Sequence, residues 1–312
     1  MTLAVLFAAL VALILLRLAA FWGLVDLSRF AFLLAPFNAL AFALRQRLGW
    51  RRGPPRLGNE PKEPGLFAYL PNDRRTLAES RAQALLQRFD LHWLHEHSSR
   101  TTYRDNLFVI DLLDRLVPPS LLPNSEVRAL DVGSQDFRYA TALERWLSRA
   151  GVDSGRKVSL QGVELDGNVI YRDLRSRADH ADAHALLTGN PEVRFRIASF
   201  LEVHETGLHV VFCFFPFVLP YALLRWGLPM SEFAPDALFR HAASVLRPGG
   251  VLIVVNHTHE ERDRQARILT SIPALEILVR AEAQSDLAQC LEVSDERTLV
   301  VARVRQTVEG GA

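Results

Sequence analysis

The chain has 312 residues, enough for one large domain and an appendage. Its 36 basic and 35 acidic residues leave a net charge of +1, which excludes the concentrated basic surface that nucleic-acid binding requires. Two cysteines, Cys213 and Cys290, exclude a disulfide framework or a cysteine-built zinc site and fit a reducing compartment.

Leu3 to Leu16 is an unbroken apolar run, interrupted by Arg17 and resumed from Leu18 to Val25. As one helix, residues 3–25 would reach about 34 Å, enough for a bilayer core of about 30 Å. Arg17 near its centre costs about 3 kcal/mol, while each Leu, Ile, Val or Phe returns about 0.3–0.6 kcal/mol, so insertion wins. A cleaved signal peptide wants basic residues before the apolar run, and Met1-Thr2 supplies none. The segment therefore reads as a retained anchor. Phe30 to Leu44 is a second apolar stretch, interrupted at Pro36 and Asn38. At about 22 Å it fits either a short second span or a helix lying in the interface. Arg45, Arg47, Arg51, Arg52 and Arg56 follow with no acid among them. The positive-inside rule then puts everything beyond residue 45 in the cytoplasm, with anionic headgroups as a contact for the cluster.

Residues 1–45 thus form a membrane anchor and 46–65, rich in Arg, Pro and Gly, a semi-rigid linker. Residues 66–120 read as cap helices, from the helical spacing over Thr76–His95 and Asn106–Leu116. His92 and His95 share a helix face, but His97 lies off it, so an amphipathic helix end explains them better than a metal site. Residues 121–308 alternate strands and helices, which predicts an α/β domain.

The first strand, VRALDV, runs into GSQDFRYA and a helix through Ala150. The second, VSLQGVELD, ends on Glu164 and Asp166. A glycine turn at a helix head, then an acid closing the next strand, is how α/β proteins hold a nucleoside. Gly133 lets the backbone approach the ligand, and Glu164 can accept from both ribose hydroxyls. A dinucleotide wants G-x-G-x-x-G, whereas here Asp136 stands where a pyrophosphate would lie. Two unit charges about 4 Å apart repel by about 4 kcal/mol at an effective dielectric of 20, so a nicotinamide oxidoreductase is disfavoured. Asp136 suits a ligand with a cationic centre.

Further along, Glu192–Ile197 reads as the third strand and Leu208–Phe214 as the fourth, with Cys213 inside it as a buried hydrophobe. Phe214, Phe215, Pro216 and Phe217 leave its tip. Tyr221 to Met230 is apolar and fits a packed helix, a lid or a membrane-touching surface. Pro248-Gly249-Gly250 turns into the fifth strand, Val251–Asn256, and Glu276–Ala283 and Thr298–Arg305 are the last two. His257, His259 and Glu260 lie just past the fifth strand, where a histidine can serve as general base and where Thr258 can equally cap a helix.

LDVGSQDFRYATAL, GVELD, LHVVFCFFPF and HAASVLRPGGVLIVVNH, in that order, resemble the class I S-adenosylmethionine-dependent methyltransferases over about residues 106–305. The resemblance implies a Rossmann-like sheet, mostly parallel with an antiparallel last strand, behind the N-terminal membrane helix. It implies S-adenosyl-L-methionine as cofactor, with Asp131, Gly133, Ser134 and Asp136 at its amino-acid end, Glu164 on the ribose, Ser199 at the adenine and Phe215 facing the methyl group. Tyr103, Arg104 and Asn106 would reach it from the cap helices. His257 and His259 are the candidate catalytic bases. The family's second and third glycines align with Gln135 and Phe137, and Phe215 with a single Pro216 departs from the Asn/Asp-Pro-Pro pattern of amino-methylating relatives. An aromatic mouth suits an apolar acceptor, small-molecule or lipid-like, and the anchor, by location alone, favours a lipid-like or membrane-associated one. The runner-up is a non-catalytic binding or scaffold protein that has kept the fold. The oligomeric state and the methylated atom are not specified by the sequence.

Overall fold

The computed structural model describes residues 32, 34–63, 65–152, 155–287 and 296–306. The anchor expected over residues 3–25, and Cys290, lie outside them. Among the described residues no helix is long and apolar enough to cross a membrane. The chain forms two compact units, Met1–Leu44 with Leu219–Phe233, and Arg45–Val218 with Ala234–Ala312.

In the first unit, helix α1 (Ala35–Leu48, whose last turn belongs to the second unit) buries only Asn38. The Asn38 amide donates to the carbonyls of Leu224 and Leu228 at 2.8 and 3.1 Å, tying α1 to the segment expected as lid or packed helix. There the chain forms a short helix, Pro220–Trp226, stopped by Gly227 in the left-handed conformation.

The second unit begins with α2 (Asn72–Phe89), α3 (His92–His97) and α4 (Arg100–Leu116). The sequence spacing predicts one helix over Thr76–His95. The chain breaks it at Asp90, which takes a left-handed φ of 52° and ends α2. Ser99 caps α4 by accepting from the Thr102 amide. No group of His, Cys, Asp and Glu able to hold a metal occurs among the described residues. His97 stacks on Trp93 and His95 packs edge-on against Tyr103.

Seven strands follow: β1 (Glu126–Val132), β2 (Lys157–Glu164), β3 (Val193–Ile197), β4 (Leu208–Phe214), β5 (Leu246–Asn256), β6 (Leu275–Glu282) and β7 (Thr298–Val304). Between them lie α5 (Ala140–Arg149), α6 (Arg177–Leu187), α7 (Pro235–Val245) and α8 (His259–Thr270). The sheet order is β3-β2-β1-β4-β5-β7-β6, with β1 to β5 parallel and β7 antiparallel to both β5 and β6. This is a Rossmann-like α/β sheet, mostly parallel, with an antiparallel β7. The central strands are almost wholly buried, β4 from Val210 to Phe214 and β5 from Gly250 to Asn256, which is why they read as continuous apolar runs. Chain order reverses between β1 and β4, and that switch point opens a crevice beyond the strand tips.

Candidate active site

The loop from β1 to α5 is laid over the tip of β2. Gly133 and Ser134 donate to the Val163 carbonyl at 2.9 and 3.3 Å, and the Gln135 amide donates to Glu164 Oε2 at 3.0 Å. Gly133, Gln135 and Phe137 have φ of 70°, 54° and 55°, so the backbone keeps the left-handed geometry of a glycine-rich turn at two positions that carry side chains. Each such residue costs about 1–2 kcal/mol. Phe137 recovers it by burial: its ring is fully inside, tilted against Phe195 at 6.4 Å. It occupies room left by Gly162 on β2, where a Cβ would stand 3.0 Å from the ring and 2.9 Å from Ser134 Oγ. Phe137 is thus part of the core and does not plug the crevice. Beside the Gly133 Cα there is open space.

Asp131, on β1, is fully buried and neither carboxylate oxygen has a hydrogen-bond partner. Burial, and then the neighbouring charge of Glu164, push its carboxyl well above the usual range. Ser134 Oγ is likewise buried without a partner. A lone buried carboxylate is costly, and an unpartnered one at a strand tip calls for a donor or a cation from outside the chain.

Asp136 is not such an acceptor. Its carboxylate is gripped by Arg138 through Nε at 3.0 Å and Nη2 at 2.7 Å. Burial pushes it up, but the guanidinium outweighs this and holds its carboxyl below the ordinary value. Arg138 also meets Asp105 at 3.3 Å. With its charge already answered by Arg138, Asp136 would attract a sulfonium and repel a pyrophosphate less strongly than a bare carboxylate, so the electrostatic argument against a dinucleotide loses most of its force. The missing glycines remain.

Glu164 accepts from two amides, Gln135 on Oε2 and Asp166 on Oε1, both at 3.0 Å, and Arg177 Nη1 lies 3.5 Å away. A carboxylate has about four lone-pair sites, so capacity for a ribose hydroxyl persists although the group is only 4% exposed. Past the β2 tip, Ile170, Tyr171, Arg172, Asp173 and His180 line an open pocket of about 510 Å³. Ser199 sits half-buried after β3, its carbonyl accepting from Glu202.

At the tips of β4 and β5, Phe215 has a φ of 56° and lies flat on the His257 ring, with centroids 3.8 Å apart and planes 13° apart. Tyr139 tilts against Phe214 at 5.6 Å. Burial pushes the Tyr139 hydroxyl up, helped by Asp131, Asp136 and Glu164. His257 and His259 are exposed. Their backbone amides bind Glu261 and Glu296, and Thr258 with Glu261 forms a capping box at the head of α8. The expected cap is therefore present at the position where a base was also considered.

Of the cap-helix candidates, Asn106 acts on the loop from behind. Its Nδ2 donates to Arg138 O and Thr102 O at 2.7 and 2.8 Å, and its Oδ1 accepts from the Ala142 amide at 2.8 Å. Tyr103 is buried, and the Arg104 guanidinium lies over the Tyr69 ring.

Sequence reading missed His184 and the intramolecular partners of the arginines. His184 Nδ1, kept neutral by burial, donates to Asp136 O at 2.7 Å. Arg45 pairs with Asp166 through Nε at 3.1 Å and Nη2 at 2.6 Å, and Gln46 donates to Leu165 O. Arg51 binds Asp179 and Asp182, while the Arg52 and Gly53 amides bind Asp179. The basic stretch expected to face headgroups and to open a tether is thus strapped, from Arg45 to Gly53, along the segment after β2.

No protein-family model matches the chain, and no curated protein matches it. Among solved structures it is similar to a TehB-like SAM-dependent methyltransferase from Corynebacterium glutamicum, at 13% identity over 74% of this chain and 100% of that one, with a TM-score of 0.39. It is also similar to a geranyl diphosphate C-methyltransferase from Streptomyces coelicolor, solved with Mg2+, geranyl diphosphate and S-adenosyl-L-homocysteine. There the identity is 12% over 67% of this chain and 85% of that one, with a TM-score of 0.43. A SAM-dependent methyltransferase from Aquifex aeolicus matches at 14% identity over 62% and 96% of the two chains, with a TM-score of 0.41.

Proposed function

We propose that this chain is an S-adenosylmethionine-dependent methyltransferase held at a membrane by its N-terminal apolar segment, with the catalytic domain in the cytoplasm and an apolar, small-molecule or lipid-like acceptor. The observation that carries this reading is the buried Asp131 carboxylate, which has no partner for either oxygen and lies two residues before Gly133 and its open Cα side. That pair fits the ammonium end of an amino-acid cofactor, with Ser134 Oγ as a further polar contact. Glu164 would accept from the ribose and Ser199 would lie toward the adenine.

The cofactor supplies an activated methyl on a sulfonium. What this chain contributes is alignment, since in-line displacement at carbon draws most of its rate from holding donor and acceptor in register. Tyr139, Phe214 and the Phe215–His257 stack would give the reacting end a largely aromatic wall. An acceptor that must lose a proton would need a base, for which His257 and His259 stand nearest the tip of β5.

A second reading, a binding module that has kept this fold, is favoured by one observation. Both Glu164 oxygens already accept from backbone amides of the chain itself. Calorimetry on the full chain separates the two. Saturable heat with S-adenosylmethionine, lost in both Asp131→Asn and Glu164→Ala, supports the enzyme reading. No heat at millimolar cofactor would remove it and leave the binding module. A parallel titration with NADH tests the dinucleotide reading that Asp136 excludes less firmly than its sequence position suggests.

A further inference from the structure

Helix α1 is built inside out. At 3.6 residues per turn, Asn38 and Arg45, seven apart, fall on one side of it. These polar residues turn to protein: Asn38 is buried against the carbonyls of Leu224 and Leu228, and Arg45 pairs with the buried carboxylate of Asp166. Leu40, Leu44 and Leu48, spaced by four, form a separate stripe that starts across the helix from Asn38 and drifts toward the flank of Arg45, and they are 62%, 52% and 73% exposed. A helix at an aqueous surface shows the reverse arrangement.

We infer that this leucine stripe is a docking face for a lipid bilayer, with α1 lying in the plane of the membrane surface rather than crossing it. The inference rests on the membrane reading above and sharpens it. Four observations select lipid as the occupant. The chain carries the apolar run of residues 3–25 nine residues before the helix, so the stripe follows a segment suited to the same medium. Phe32, three residues before the helix, is 63% exposed. Arg47 is exposed and, about one turn from Leu44 and two turns from Leu40, lies beside the stripe, where a guanidinium reaches anionic headgroups. The helix has 14 residues, which span about 21 Å and cannot cross a core of about 30 Å.

The test uses the full chain with Cys290→Ser, since Cys213 is buried in β4. An environment-sensitive fluorophore is placed singly at Leu40→Cys, Leu44→Cys, Leu48→Cys or Ala39→Cys, and each protein is mixed with phosphatidylcholine–phosphatidylglycerol vesicles and floated. The expected result is blue-shifted emission, quenched by brominated acyl chains, at 40, 44 and 48 but not at 39. Flotation without any shift at the stripe overturns this inference while leaving the anchor standing. Failure to float removes both. A shift that needs no lipid and grows with protein concentration assigns the stripe to a second copy of the chain instead.

Discussion

Replacing Asp131 with Asn separates ligand binding from stability at one atom pair. The native carboxylate is fully buried with both oxygens unpartnered, and its carboxyl is pushed well above the usual range by burial and by Glu164. A carboxyl raised in the folded state holds its proton more tightly there than in the unfolded chain. Its contribution is most favourable below the unfolded value of 3.8, declines by about 1.4 kcal/mol per pH unit above it, and levels off past the folded pKa. Asn keeps the shape and removes the charge. We expect it to raise stability by about 1–3 kcal/mol at pH 8, the scale of desolvating an unpaired polar group. That corresponds to about 2–4 °C in Tm per kcal/mol for a domain of this size. The gain should vanish near pH 4. Thermal melts of both proteins from pH 4 to 8, with and without S-adenosylmethionine, read the effect. The cofactor should stabilise the native protein and not the variant. A variant that melts lower at pH 8, or a difference independent of pH, refutes the claim that this carboxylate is an uncompensated charge awaiting a ligand.

Three further outcomes follow from the same geometry. Gly162→Ala puts a Cβ 2.9 Å from Ser134 Oγ and 3.0 Å from the Phe137 ring, and should cost about 1–3 kcal/mol in urea unfolding while displacing the loop. Asn106→Ala strips Arg138 O and the Ala142 amide of their partners and should cost about 2–4 kcal/mol, with faster hydrogen exchange at Ala142 as its signature. The Asp179 carboxyl is pushed up by burial, but the amides of Arg52 and Ser176 and the Arg51 guanidinium hold it well below the ordinary range. Its contribution is therefore present above about pH 4 and lost in stronger acid. In Asp179→Ala the amides of Arg52 and Gly53 should exchange freely at neutral pH, and unchanged protection there would show that the strap does not depend on this carboxylate.

The strands were legible because burial on both faces writes itself as apolar runs, and VRALDV and LHVVFCF allow little else. The pairing of a glycine turn with Glu164 was legible for a similar reason: only a close backbone approach and an acid at the next strand tip make sense of that spacing. The break at Asp90 was not. Helical periodicity continues through it, and a single left-handed residue leaves no trace in the pattern of hydrophobics. Nor were the ion pairs of Arg45 with Asp166 and Arg51 with Asp179 visible, because partners 121 and 128 residues apart have no spacing to read. A run of arginines without neighbouring acids looked like a surface for other molecules, while its acids waited on the far side of β2. The partner of Asp136 was missed for a shorter-range reason. Arg138, two positions on, folds back to neutralise it.

Gly162 and Phe137 amount to a single choice written in two places. Exchanging the phenylalanine for the ordinary glycine empties a hole beneath the sheet, and giving the strand an ordinary side chain evicts the ring. Each change alone costs packing, so restoring the common pattern without loss of stability requires changing both positions together. Lineages carrying this chain's version of the turn should therefore keep the two residues as a matched set.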